Sequence, residues 1–214
     1  MNLLIATAHS KRSKIRVDGK VHEEISERVL TRDGFSAAAI TIINNSNTHQ
    51  DDIPYEAWYH FDRVPPANDS EAFDSAIGYF RTELGRVTQA AQAGETKRAL
   101  EGIGRLLHAI QDFCSHSNFV ELPDVSQQEI RSCLLNLSHA AVTRLKLTGY
   151  DPRTPSESPP RDSYPHSLCN KDGPNSRLHE QAKLAAVSIC SDVIAMIRGK
   201  VSADEWGALK TYSG

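Results

Sequence analysis

Apolar residues recur at three- and four-residue intervals along most of this chain, and no stretch alternates apolar with polar residues for long enough to require a strand. Phe73, Ile77, Phe80, Leu84 and Val87 keep that interval, as do Leu100, Ile103, Leu106, Leu107 and Ile110. A period of about 3.6 residues puts each set on one helix face, which is stable only when covered by other helices. The pattern therefore predicts an all-α fold: a single-domain helical bundle with long irregular loops. Its 214 residues suit one ordinary domain.

Punctuation between the periodic stretches places the helices. Asp18 reads as the N-cap of a helix through Val21, Ile25, Val29 and Leu30 that ends near Gly34. Ser36 opens a second, to about Asn45. The stretch Asn44–Asn68, rich in Asn, Asp and Pro, holds Tyr55, Trp58, Tyr59 and Phe61 and is expected to be an ordered loop. A helix from Asp69 or Ser70 runs to about Ala93, where Gly94 stops it. Thr96 caps another, from Lys97 to about Cys114 or Ser115. After Pro123, Ser126 starts a helix carrying Ile130, Leu134, Leu137, Val142 and Leu145. Residues 148–176 hold six of the ten prolines, which makes that stretch an irregular excursion. A helix over Ser176–Arg198 and a short one capped by Ser202, through Trp206 and Leu209, complete the chain. Residues 1–17 lack periodicity and are expected to form an arm before the domain at 18–214.

Charge and composition exclude several classes. The formal net charge is −3 with no basic block, which argues against a protein built to grip duplex nucleic acid. No apolar run approaches the roughly 18–20 residues of a membrane span. The opening MNLLIATAHSKRSK is too short in apolar residues, and turns basic in the wrong order, for a secretory signal. A cytoplasmic location, or export without such a signal, is expected. Cys114, Cys133, Cys169 and Cys190 show no C-x-x-C spacing, so a zinc finger or thioredoxin motif is excluded. They read as free thiols, the alternative being a single Cys114–Cys133 or Cys169–Cys190 bridge.

The chemistry concentrates in LLHAIQDFCSHSNFVEL. His108 and Asp112 lie four residues apart and share a helix face, with His116 one turn on and displaced by roughly 80°. Such a stack suits two metal ions with the central carboxylate between them, and mixed imidazole and carboxylate donors favour zinc or another first-row metal. The plainer alternative is a helix surface ending in a capping histidine. Leu107, Ile110 and Phe113 beside the three residues argue for burial, and buried groups of this kind need partners. His22, the group His49, Asp51 and Asp52, His60 in WYHFDR, and His179 are candidates for further ligands, each ordinary by itself. His9, His139 and His166 read as structural or solvent-exposed.

The order VHEEISERVL, NNSNTHQDD…WYHFDR, HAIQDFCSHSNFVEL, NKDGP and a late helix opened by a histidine resembles the Het-C-like branch of the zinc-dependent phospholipase C superfamily, which also contains single-strand-specific nucleases. The resemblance covers most of residues 20–198. It implies an all-α fold with a metal cluster between helices, two to three zinc ions or another divalent first-row metal, and phosphodiester hydrolysis. One metal would be held by Asp51 (or Asp52), His60, His108 and Asp112. A second would take His116 and His179, and a third His22 and Asp112. Lys183 stands where the family has a glutamate four residues after the late histidine, so Asp172 or Glu121 is the candidate replacement.

That resemblance implies a zinc-dependent phosphodiesterase, most specifically a phospholipase C-type enzyme that cleaves phospholipid head groups with a metal-activated water, in a killing, incompatibility or defence role. Whichever of Asp51 and Asp52 is not a ligand would orient or deprotonate the water. Tyr55, Trp58, Tyr59 and Phe61 would line the substrate cleft, or else plug the core beneath the loop. The expected partner is a phospholipid or another phosphodiester, with peripheral membrane contact and no membrane span. A nuclease of the same superfamily, and a non-enzymatic membrane-perturbing or interaction module, are the alternatives.

Overall fold

The computed structural model describes residues 19–52, 56–64, 66–138, 144–149, 164–165, 171, 173 and 176–214. The arm at 1–17, the expected N-cap Asp18, Tyr55, His9, His139, Val142, His166, Cys169, Asp172 and most of the proline-rich excursion lie outside them. The described residues form seven α-helices: α1 (Gly19–Asp33), α2 (Ala37–His49), α3 (Asp69–Gln92), α4 (Thr96–Ser115), α5 (Asp124–Asn136), α6 (His179–Arg198) and α7 (Ala203–Lys210). The chain is all-α.

Helix α4 is the axis of the bundle. From Ala99 to Cys114 nearly every residue is buried, because α2, α3 and α6 pack around it. Two glycines let the neighbours in. At Gly102 a Cβ would fall 2.5 Å from Val87 Cγ2 of α3, and at Gly104 one would fall 2.4 Å from the Ile43 carbonyl oxygen of α2. Backbone thus meets backbone where α2 crosses α4. Helix α1 covers α2 and α6 with Ile25, Val29 and Leu30. Asn68 and Ser202 close capping boxes with Glu71 and Glu205 at the starts of α3 and α7.

Several boundaries depart from the sequence expectation. Helix α2 runs to His49 rather than Asn45, since buried Asn44 and Asn47 are held by tertiary packing that overrides their weak helix propensity. Thr96 is the first residue of α4, not its cap. Helix α5 stops at Asn136 because Leu137 turns into the left-handed region (φ 51°), where Arg81 Nη2 holds its carbonyl at 2.5 Å. Leu145 and Leu147 therefore reach the core from a separate segment. That segment supplies strand structure that periodicity did not announce: Thr148–Gly149 pairs in parallel with Tyr164–Pro165, and bridges join Leu147 to Ser117 and Gly149 to Arg63. A two-residue strand is too short to show alternation. Cys114, Cys133 and Cys190 are free thiols.

Candidate metal centre

Three elements converge on the middle of α4. Its inward face carries His108, Gln111 and Asp112, at the three- and four-residue spacing that keeps side chains on one side. Helix α2 approaches that face across Gly104. It contributes Asn47 and, two residues beyond its end, Asp51. His60 follows a 3-10 turn at Ala57–Tyr59. The next residue, Phe61, takes a positive φ of 55°, a conformation that costs a bulky residue about 1–3 kcal/mol. That turn sends His60 to the cluster and Phe61 into the core against Phe73 and Phe113. His22 enters from α1, its ring stacked on His108 at 4.8 Å.

Asp51, His60, His108 and Asp112 each offer a ligand atom, all within 4.8 Å of one another. Asp112 Oδ2 lies 2.6 Å from His60 Nδ1 and 3.0 Å from His108 Nε2, and these two nitrogens are 3.0 Å apart. Asp51 Oδ1 closes the group 3.8 Å from His108 Nε2. A tetrahedral zinc site with bonds of about 2.0–2.1 Å separates its ligands by about 3.3 Å, so these spacings need only small adjustments to receive an ion. His60, His108 and Asp112 are buried, while the Asp51 side chain keeps 27% of its exposure. The group is closed on three sides and reached by solvent on the fourth.

The electrostatics suit a cation. Burial pushes the Asp112 carboxyl up, but His108, His116 and His22 around it outweigh burial and hold it well below the ordinary carboxylate range. Burial, aided by the neighbouring histidines, lowers His108 despite Asp112, which keeps its imidazole neutral. Burial also draws His60 down, yet its hydrogen bond to Asp112 and that residue's charge prevail and raise it. Asp51 is raised, first by burial and then by the Asp112 charge. The result is an anion at the centre with imidazoles facing it, and chemistry that matches zinc-type ions better than calcium or magnesium.

The remaining expected ligands are placed differently. His22 Nε2 lies 3.4 Å from Asp112 Oδ1, beside the group but on the carboxylate's other oxygen. Asp52 is exposed next to Asp51. His116 is buried at the C-terminal end of α4, and its carbonyl accepts from Thr148 N (3.0 Å) and Oγ1 (2.6 Å). His179, the first residue of α6, has Nδ1 2.6 Å from the Lys171 carbonyl oxygen. Lys171 is itself buried, donating to the Ser117 carbonyl at 2.6 Å and pairing with Glu121 at 3.3 Å. Glu121 thus faces an ammonium, while Lys183 pairs with Glu24 at 2.5 Å. Of the aromatic residues, Trp58 is 41% exposed, Tyr59 packs on Tyr79 at 4.7 Å, and Phe61 plugs the core instead of lining a cleft.

Sequence reasoning missed the polar residues behind the cluster. Asn47, Ser26 and Gln111 are buried and bonded to one another. One signal was present: Asn44 and Asn47 share a face of a helix that otherwise buries Ala39 and Ile43.

Fold and site together define a helical domain built round a buried His/Asp cluster able to hold a metal ion. The chain belongs to the family of VWA7 N-terminal domains, whose model matches residues 19–142, more than half of its length. It is 26% identical to von Willebrand factor A domain-containing protein 7 of Rattus norvegicus, over 218 aligned positions covering 78% of this chain and 23% of the relative. The chain thus spans about a quarter of the length of that protein. No solved structure matches it. The family match replaces the Het-C-like, phospholipase C and nuclease assignment, and with it the hydrolase class as a family property. Most segments that carried the resemblance, from His22 to Glu121, lie inside the matched residues, so they belong to this family instead.

Proposed function

We propose that this domain is a metal-binding module that takes one first-row divalent ion, zinc foremost, through Asp51, His60, His108 and Asp112. The observation that carries the proposal is the convergence of three donors, Asp51, His60 and His108, from three separate segments on one buried carboxylate, Asp112. Without a cation, such a group is a costly thing to bury. Binding of one equivalent of Zn²⁺ by calorimetry and elemental analysis, lost in His108→Ala and in Asp112→Ala, is the expected result. Full metal content in either variant refutes the ligand assignment.

An enzymatic extension rests on one feature, the solvent-reached edge at Asp51. An ion with three buried ligands and one open side activates water and offsets phosphoryl charge, the chemistry of phosphodiester cleavage. In this second reading His60, His108 and Asp112 alone hold the ion, Asp51 orients the nucleophile instead of ligating, and the exposed Trp58 nearby in sequence would receive the substrate. Turnover of bis(p-nitrophenyl) phosphate by the zinc-loaded protein, abolished by chelator and by Asp51→Asn, tests it. Zinc binding without turnover leaves a structural or regulatory metal module.

A further inference from the structure

A buried amide network lies behind the cluster and joins its His108 to the neighbouring His22. Asn47 Nδ2 donates to Ser26 Oγ and to Gln111 Oε1, both at 3.0 Å. Gln111 Nε2 donates to the same Ser26 Oγ at 2.9 Å. Asn47 Oδ1 then faces His108 Nδ1 at 3.2 Å, and Gln111 Oε1 faces His22 Nδ1 at short range. Ser26, Asn47 and Gln111 are all essentially inaccessible to solvent.

The polarity of this network follows from counting hydrogens. A hydroxyl has one proton and two lone pairs. Ser26 Oγ accepts from both amides as they stand. With both amides turned over, two carbonyl oxygens would compete for its single hydrogen, and one would be left unsatisfied in the interior, at a cost of roughly 1–3 kcal/mol. Turning over only one amide would set Asn47 and Gln111 oxygen against oxygen or amino group against amino group at 3.0 Å, so Ser26 and that contact together fix both amides with their nitrogens towards Ser26 and their oxygens towards the histidines. An amide oxygen only accepts, so Nδ1 of His108 and Nδ1 of His22 must each carry the hydrogen. Each Nε2 is then a bare lone pair, and the two point at Asp112: His108 Nε2 at 3.0 Å from Oδ2, His22 Nε2 at 3.4 Å from Oδ1.

We infer that Asn47, Gln111 and Ser26 are positioning residues that lock His108 and His22 in the Nδ1–H tautomer, so that before any ion arrives the His108 Nε2 lone pair faces the cation site and that of His22 faces the other oxygen of Asp112. The inference rests on the metal-binding role proposed above, and explains how this chain prepares the site. A neutral histidine beside a carboxylate would otherwise present Nε2–H to it and block the lone pair an ion needs. The network forbids that rearrangement from behind. Outer-shell partners of this kind are worth roughly 10–100-fold in metal affinity.

The test is a long-range ¹H–¹⁵N spectrum of the full, metal-free chain labelled in histidine, at a pH above the imidazole range, with Zn²⁺ affinity measured alongside. His108 and His22 should show a pyrrole-type Nδ1 and a pyridine-type Nε2. In Asn47→Leu, His108 should switch to Nε2–H and Zn²⁺ affinity should fall roughly 10–100-fold. Asn47→Asp, which still offers an acceptor, should retain the Nδ1–H tautomer. Nε2–H on His108 in the unsubstituted chain overturns the inference even if no variant folds. An unchanged tautomer in folded Asn47→Leu overturns it too. Correct tautomers in a chain that fails to bind Zn²⁺ would instead refute the metal-binding role and leave the tautomer assignment standing.

Discussion

Gly104→Ala tests the contact on which the site is hung. The new Cβ would lie 2.4 Å from the Ile43 carbonyl oxygen, 2.9 Å from Ser46 Cβ and 3.0 Å from Asn47 N. Two of these atoms are backbone, so no rotamer change relieves the clash, and α2 must move. Alanine gains about 1 kcal/mol over glycine in a helix interior. Overpacking a tight contact costs about 1–3 kcal/mol, and displacing a whole helix belongs at the upper end. The net loss should be about 1–2 kcal/mol, a fall in Tm of roughly 2–8 °C for a chain of this size. Gly85 on α3 provides the control, because nothing lies within 4 Å of its Cβ position. Gly85→Ala keeps the propensity gain and should stabilise by up to about 1 kcal/mol. Urea denaturation followed by circular dichroism measures both. If Gly104→Ala proves as stable as Gly85→Ala, the backbone-to-backbone approach of α2 and α4 is wrong.

Zn²⁺ at 100 times its Kd should stabilise the fold by about 2.7 kcal/mol, a Tm rise of roughly 5–10 °C in differential scanning fluorimetry; an unmoved Tm would mean the cluster holds no ion. Because His60 is raised above its ordinary value, part of the population near neutrality carries a proton that an ion must displace. Zn²⁺ affinity should therefore weaken as pH falls through the imidazole range, approaching tenfold per pH unit for one proton, with matching proton release in calorimetry across two buffers. Asp112→Asn should reduce Zn²⁺ affinity by more than the roughly 10–100-fold that loss of an outer-shell partner costs. The same variant should flatten the acid limb of stability. The folded Asp112 holds its proton less tightly than the unfolded chain does, so its contribution is fully present above the ordinary carboxylate range and is lost as pH falls below that range towards the depressed folded value.

The helices were legible because burial on one face imposes a period, and α3 and α4 carry it without interruption. His108 and Asp112 were legible for the same reason: a four-residue spacing on a helix fixes their relation whatever else the fold does. His60 and Asp51 were joined to them only by the resemblance and by no spacing in the sequence, since loop residues reach the cluster through the Phe61 turn and the end of α2. The choice between Asp51 and Asp52 depended on that helix end, which runs four residues past its expected stop. Asn47, Gln111 and Ser26 were hidden by chemistry common on surfaces. Only the crossing of α1, α2 and α4 makes them interior. The family was misjudged because histidines and carboxylates at helical spacing report on a metal-compatible helix face, a property that does not itself identify a family.

Packing and metal chemistry meet at one contact, and this gives a prediction that separates them. The Cβ of Gly104→Ala would press on Asn47 N, at 3.0 Å, and the Asn47 side chain is the group that holds His108 Nδ1 at 3.2 Å. Moving α2 outward by even a few tenths of an ångström lengthens a hydrogen bond already at the long end of the normal range. His108 is then freer to turn its Nε2–H to Asp112. Ile197→Val, in the last turn of α6, should cost a comparable 0.5–1.5 kcal/mol or so by simple loss of a buried methylene, with no connection to Asn47. Zn²⁺ affinity measured in the folded state, well below either midpoint, should fall several-fold in Gly104→Ala and stay unchanged in Ile197→Val. Equal affinities in the two variants would mean that the α2–α4 crossing supports the bundle alone and that Asn47 follows His108 rather than fixing it.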